Sequence, residues 1–133
     1  MTMKTILLIE DTPTILENLT EYLEMEGYRI LTANNGRKGI EVAAEFMPDL
    51  IICDVRMPEM DGHEVLQSLI DTPKTSEIPF IFSTSLSEKI DRSEAIALGA
   101  DDYITKPFEM EPLLKMIDRL MQTGSKRRKM ASL

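Results

Sequence analysis

Cysteine is almost missing from this chain, with Cys53 the only one among 133 residues. A single thiol excludes an internal disulfide and a cysteine-based zinc cluster. Its place inside the apolar run Leu50–Cys53 suits a small buried hydrophobe better than a reactive thiol. Histidine is equally scarce: His63 stands alone and reads as an exposed residue at a helix start. With no imidazole or thiolate cluster on offer, zinc is disfavoured. No stretch approaches the roughly 20 apolar residues a membrane span needs. The short apolar run Ile6–Ile9 meets acids at once, unlike a signal peptide, so the cytoplasm is the expected compartment. There is no internal repeat of the kind that builds solenoids.

What is present is ordinary globular composition, 43% apolar and 29% charged, enough for one domain with one sizeable core. The formal net charge is −8. The last eleven residues hold Lys126, Arg127, Arg128 and Lys129 and no acid, which leaves −12 for the body. An acidic body argues against broad nucleic-acid binding and is compatible with a divalent cation site.

Short apolar runs alternate with helical patterns along the chain. Lys4–Ile9 reads as a first buried strand ending at Glu10 and Asp11. Thr12-Pro13 opens a helix, with threonine at the N-cap and proline in the first helical position. Ile15, Leu16, Leu19, Tyr22 and Leu23 give its core face, and Gly27 ends it. Tyr28–Ala33 is a second strand, and the following helix offers Gly39, Val42, Ala43 and Phe46 as its packing face before Pro48. Leu50–Cys53, Ile78–Ser83 and Asp102–Thr105 are further strands; Gly62–Ile70, Asp91–Leu98 and Glu109–Gln122 are further helices. The apolar band of the last helix, Met110 to Met121, reads mostly as core, with an excess of methionine suited to a partner surface. Five strand–helix repeats imply an α/β fold with helices on both faces of a parallel sheet. The domain is expected over residues 1–122, with 123–133 a basic flexible tail or the start of a linker.

In such sheets ligands bind beyond the carboxyl ends of the strands. Collecting those ends brings together Glu10 and Asp11, Asp54, Thr84 and Lys106. Converging carboxylates repel, and a hard divalent ion such as Mg²⁺, which prefers oxygen ligands, resolves the conflict. A metal, a lysine and a hydroxyl around one carboxylate suit a phosphoryl group. Asp54, isolated and central, is the candidate nucleophile, and Glu10 and Asp11 the metal holders. Taken singly, each residue has a bland reading as a cap, loop acid or surface charge; their convergence is what argues for a site.

The motifs LLIED (Leu7–Asp11), D-x-R-M-P-x-M-D-G (Asp54–Gly62), a threonine at the end of the fourth strand and GADDYITKPF (Gly99–Phe108) go further. On them the chain resembles the receiver domain of two-component response regulators, from about Lys4 to Gln122. The resemblance implies a flavodoxin-like (βα)5 three-layer sandwich around a five-stranded parallel sheet. It implies Asp54 as phosphoacceptor, Glu10, Asp11, Asp54 and the backbone carbonyl of Arg56 as ligands of Mg²⁺ (or Mn²⁺), and Lys106 as the lysine of the site. Thr84 and Tyr103 look like the switch pair, and the bond into Pro107 is expected to be cis. A sensor histidine kinase or phosphotransfer protein is the implied phosphodonor. The face of the fourth helix, fifth strand and fifth helix is the implied signalling and possible homodimer surface. Nucleic acid would be contacted only through an output domain. Arg56 and Leu86, at the positions that tune phosphate lifetime in this family, predict slow self-dephosphorylation.

Three rival readings are weaker. A haloacid-dehalogenase-type phosphatase needs a second aspartate where Arg56 stands. A nucleotide or flavin binder lacks support, since the first strand–helix turn, Glu-Asp-Thr-Pro, has neither G-x-G-x-x-G nor a Walker lysine. A module with a dead site conflicts with the intact set of Glu10, Asp11, Asp54, Thr84 and Lys106.

Overall fold

Every predicted strand forms, and each is flanked by helix, because runs apolar on both faces are stable only when both faces are covered. The structure is a computed structural model and describes residues 3–85, 92–125 and 127. The elements are β1 (Thr5–Ile9), α1 (Pro13–Met25), β2 (Arg29–Ala33), α2 (Gly36–Phe46), β3 (Leu50–Asp54), α3 (Gly62–Asp71), β4 (Phe80–Ser85), α4 (Arg92–Ala97), β5 (Asp102–Lys106) and α5 (Met110–Thr123).

The sheet is wholly parallel with strand order β2-β1-β3-β4-β5. Side-chain alternation divides the core in two. Ile6 and Leu8 of β1 join Leu19 and Leu23 of α1 and Leu113 and Ile117 of α5 on one face. Leu7 and Ile9 join Ala43 of α2, Val65 and Leu66 of α3 and Ala95 of α4 on the other. The chain steps outward from β1 to β2, then returns past β1 to β3. That reversal opens a crevice between the carboxyl ends of β1 and β3, where open α/β sheets bind ligands.

α1 ends as its glycine predicts. Gly27 has φ +97°, its N–H donates to Glu24 O at 3.0 Å, and Tyr28 N–H donates to Leu23 O at 3.2 Å. This paired closure needs a left-handed residue. Thr12 occupies the N-cap of α1, but its side chain makes no capping bond. Four expectations are corrected. β4 begins at Phe80 rather than Ile78, because Pro79 has no N–H to give the ladder; Thr84 therefore lies within the strand. Phe46 is 49% exposed, since the close contact of α2 is made by Gly36, Gly39 and Ala43 and Phe46 falls in the last turn beyond them. His63 is half-buried, its ring edge-on to Phe82 at 5.3 Å between centroids. Beyond Gln122, Ser125 is fully buried and the Arg127 side chain is bonded to the domain, so those two residues are not a free tail. Met110, Met116 and Met121 of α5 pack against the core. Asp91, the expected start of the fourth helix, lies outside the described residues.

Candidate functional site

Glu10 and Asp11 follow β1, Asp54 ends β3, Thr84 lies near the end of β4 and Lys106 ends β5. Parallel register stacks these ends on one rim: Ile9 pairs with Cys53, Asp54 with Ser83, Thr84 with Thr105 and Ser85 with Lys106. Glu10 and Asp54 are buried, with only 5% and 4% of their surface exposed. Glu10 is held by its own backbone, whose N–H donates to Ala33 O at 3.0 Å, and its Oε2 accepts from Thr12 N–H at 3.2 Å.

The Lys106 ammonium bridges the two buried acids, 2.6 Å from Glu10 Oε1 and 3.3 Å from Asp54 Oδ2. Burial alone would pull the lysine's pKa down, but its bond to Glu10 and the charge of Asp54 win and raise it. At Asp54 the balance goes against ionisation. Burial first and the charge of Glu10 second push its pKa from 3.8 up to about 7, with Lys106 opposing. Asp54 Oδ1 is buried with no hydrogen-bond partner among the described residues. A carboxylate with one oxygen held and the other unsatisfied is costly to bury.

Glu10, Asp11 and Asp54 each offer an oxygen within 4.8 Å of the others. Among the described residues, Lys106 is the one cation paired with these three carboxyl groups, and the excess of negative charge they carry when ionised is what a divalent cation offsets. The donors are all oxygen, the set that Mg²⁺ or Mn²⁺ takes. These residues therefore fit a hard divalent ion. Arg56 is exposed and, with Val55, Met57, Pro58, Asp61 and His63, lines a cavity of about 560 Å³ beside Asp54. Thr84 is buried. Tyr103 is half-buried, pairs in register with Phe82 and packs into the core on the α2–α4 face. Two-residue alternation puts it on the same sheet face as Thr84. The bond from Lys106 to Pro107 is cis. Leu86 lies outside the described residues. The Cys53 thiol, driven well above its ordinary pKa by burial and then by Asp54, donates weakly to Asp54 O at 3.3 Å.

Two supports of the site went unnoticed in the sequence. A Cβ on Gly62 would lie 2.4 Å from Asp54 O, so only glycine lets α3 start against the end of β3. Asp61 and Glu64 form a capping box: Glu64 N–H donates to Asp61 Oδ1 at 3.0 Å, and Asp61 N–H reaches Glu64 Oε1 at 3.4 Å. The D-x-x-E spacing was the available signal.

Residues 6–118 match the response regulator receiver domain family. The chain belongs to that family. Its members are signalling switches, not classical enzymes. RpaA of Synechocystis sp., a DNA-binding dual master transcriptional regulator, is 38% identical over 120 residues, covering 90% of this chain and 50% of RpaA. Protein PilH of Pseudomonas aeruginosa is 36% identical over 119 residues, 90% of this chain and 98% of PilH. The chain thus spans about half of RpaA and nearly all of PilH. Among solved structures, the receiver domain of a sensor histidine kinase from Pseudomonas aeruginosa PAO1 superposes with a TM-score of 0.83 at 26% identity, covering 92% of this chain and all of that one. It was solved with a magnesium ion coordinated in its active-site cleft. The flavodoxin-like receiver fold expected from the motifs is the fold observed. No helix among the described residues is long and apolar enough to cross a membrane.

Proposed function

We propose that this receiver domain is a phosphoacceptor switch that takes a phosphoryl group from a phosphohistidine of a sensor histidine kinase or phosphotransfer protein onto Asp54. The phosphorus–nitrogen bond of the donor breaks, the imidazole keeps the electron pair, and a phosphorus–oxygen bond forms at Asp54. The observation that carries this reading is Asp54 Oδ1, buried and without a partner among the described residues while Lys106 holds Oδ2. It leaves one oxygen for attack and a cation beside the other.

Glu10, Asp11, Asp54 and the Arg56 carbonyl are the ligands we assign to Mg²⁺ or Mn²⁺; a magnesium ion in the cleft of the Pseudomonas receiver supports this. When bound, the ion offsets negative charge on the acids and on the phosphoryl oxygens. Lys106 orients Asp54 and neutralises the arriving group. Thr84 donates its hydroxyl to a phosphoryl oxygen, and Tyr103 turns inward on the same face. The α4–β5–α5 face then changes shape and signals to a partner, a second copy or an output domain. Phosphorylation adds roughly −1.5 to −2 charge, and a nearly complete switch needs about 5.5 kcal/mol of preference for one state. Any nucleic-acid contact belongs to an output domain in a longer protein.

The test is intact-mass measurement after incubation with a small acyl phosphate donor and Mg²⁺. The wild-type chain gains one phosphoryl group and Asp54→Asn gains none; equal gain by both removes Asp54 from its role. Arg56 has N–H donors but no acceptor to take a proton from an attacking water, so the aspartyl phosphate decays slowly. A half-life on the order of seconds, followed by the same mass measurement, would contradict this.

A further inference from the structure

At the end of the sheet opposite the phosphoryl site, Ser125 and Arg127 fold back onto the domain after α5. Gly124 N–H closes the helix on Leu120 O at 2.9 Å. Ser125 is then fully buried, with its hydroxyl donating to Asp101 Oδ1 at 3.1 Å. Arg127 N–H donates to Ser125 Oγ at 3.1 Å. The Arg127 guanidinium spreads across two separate segments. Its Nε donates to Ser76 O at 2.9 Å and its Nη2 to Ile78 O, both in the stretch leading into β4. Its Nη1 donates to Gly99 O and lies 3.4 Å from Asp101 Oδ2, both in the turn between α4 and β5. Asp101 is 1% exposed and also accepts Phe80 N–H at 2.9 Å, at the start of β4.

This is a built site. Three backbone carbonyls and a buried carboxylate converge on one planar cation, a pattern that matches the fixed fork of five guanidinium donors. A lysine ammonium has three donors on a single nitrogen and cannot span the same set. The family match ends at residue 118, so Arg127 lies beyond it.

We propose that the α4–β5 turn and the approach to β4 form an arginine receptor whose ligand is Arg127 of the same chain, and that this staple passes the state of the α4–β5 turn to the chain leaving α5. Only the second half rests on the phosphoryl-switch reading. Asp101 directly precedes β5, so a shift of the α4–β5–α5 face displaces the atoms that hold Arg127.

The experiment is residue-resolved amide hydrogen exchange on the full chain, as wild type, Arg127→Ala and Arg127→Lys, each with and without Mg²⁺ and beryllofluoride as phosphoryl mimic. Without the mimic, the amides of residues 125 and 127 exchange about tenfold or more faster in Arg127→Ala, those of mid-α5 keep their rates, and Arg127→Lys restores only part of the protection. Wild-type rates at 125 and 127 in Arg127→Ala overturn the receptor. With the mimic, wild type changes exchange at 125 and 127 about threefold or more, whereas Arg127→Ala responds only around Thr84 and Lys106. If residues around Thr84 and Lys106 respond in wild type while 125 and 127 do not, the relay is overturned and the switch reading stands. If none responds, the switch reading fails and the relay fails with it; the receptor is judged by the unloaded pair alone.

Discussion

At Asp54 burial and the neighbouring Glu10 hold the carboxyl up at about 7 against the pull of Lys106. The unfolded chain would release that proton near pH 3.8. Between these values the folded state binds the proton and the unfolded state does not. The stability Asp54 contributes is therefore fullest below about pH 4 and is lost as pH rises through about 7. In chelator-treated buffer, denaturant unfolding from pH 4 to 8 is expected to show this fall. Asp54→Asn, which cannot ionise, flattens it and is more stable than wild type at pH 8 by about 1–3 kcal/mol. Parallel pH curves for the two proteins would contradict the assignment. The same repulsion explains why one lysine does not settle the site: Lys106 reaches Glu10 and Asp54 while Asp11 adds a third carboxylate.

Among the elements, the β3–α3 connection is the least tolerant. Gly62 N–H donates to Val55 O at 2.7 Å, and any Cβ there meets the backbone of Asp54 and Val55 rather than a movable side chain. Gly62→Ala is therefore expected to cost about 1–3 kcal/mol in denaturant unfolding, as overpacking against an unyielding partner does. It also displaces Asp54 and lowers phosphoryl uptake. A variant with wild-type stability and uptake would show that the connection has slack. Val55 N–H adds a bond to Ser83 O at 3.1 Å, tying the same loop to β4. The loop is thus fixed from both sides, by β4 before it and by the capping box of α3 after it.

For the molecule as a whole, the acidic rim couples metal binding to folding. A divalent cation that binds only the folded state stabilises it by RT ln(1 + [L]/Kd), about 1.4 kcal/mol at ten times Kd. Mg²⁺ is expected to raise the wild-type melting midpoint by several degrees, with chelator reversing the shift. The Asp11→Asn, Asp54→Asn double variant should show little change. A similar shift in both proteins would place the ion elsewhere. The opposite end of the sheet is closed by Ser125 and Arg127, so the domain carries a charged cluster at each end of its strands.

Periodicity and turn residues determine most of this protein's architecture. The five apolar runs, Pro13 and Gly27 mark the strands and helix ends because backbone restrictions are local. The site residues were legible as strand ends, since a parallel sheet has only one carboxyl rim, and the family motifs added their order. Other features depend on contacts between residues distant in sequence. The pairing of Lys106 with Glu10 and Asp54, and the elevated pKa of Asp54, follow from burial and charge spacing set by four neighbouring strands. The two-residue displacement of β4 follows from which N–H groups the ladder can use next to Pro79. Phe46 looked like core because helical spacing records a stripe but not where the neighbouring surface ends. Arg127 looked like one more charge in a basic run; only the folded chain brings three carbonyls and Asp101 around it.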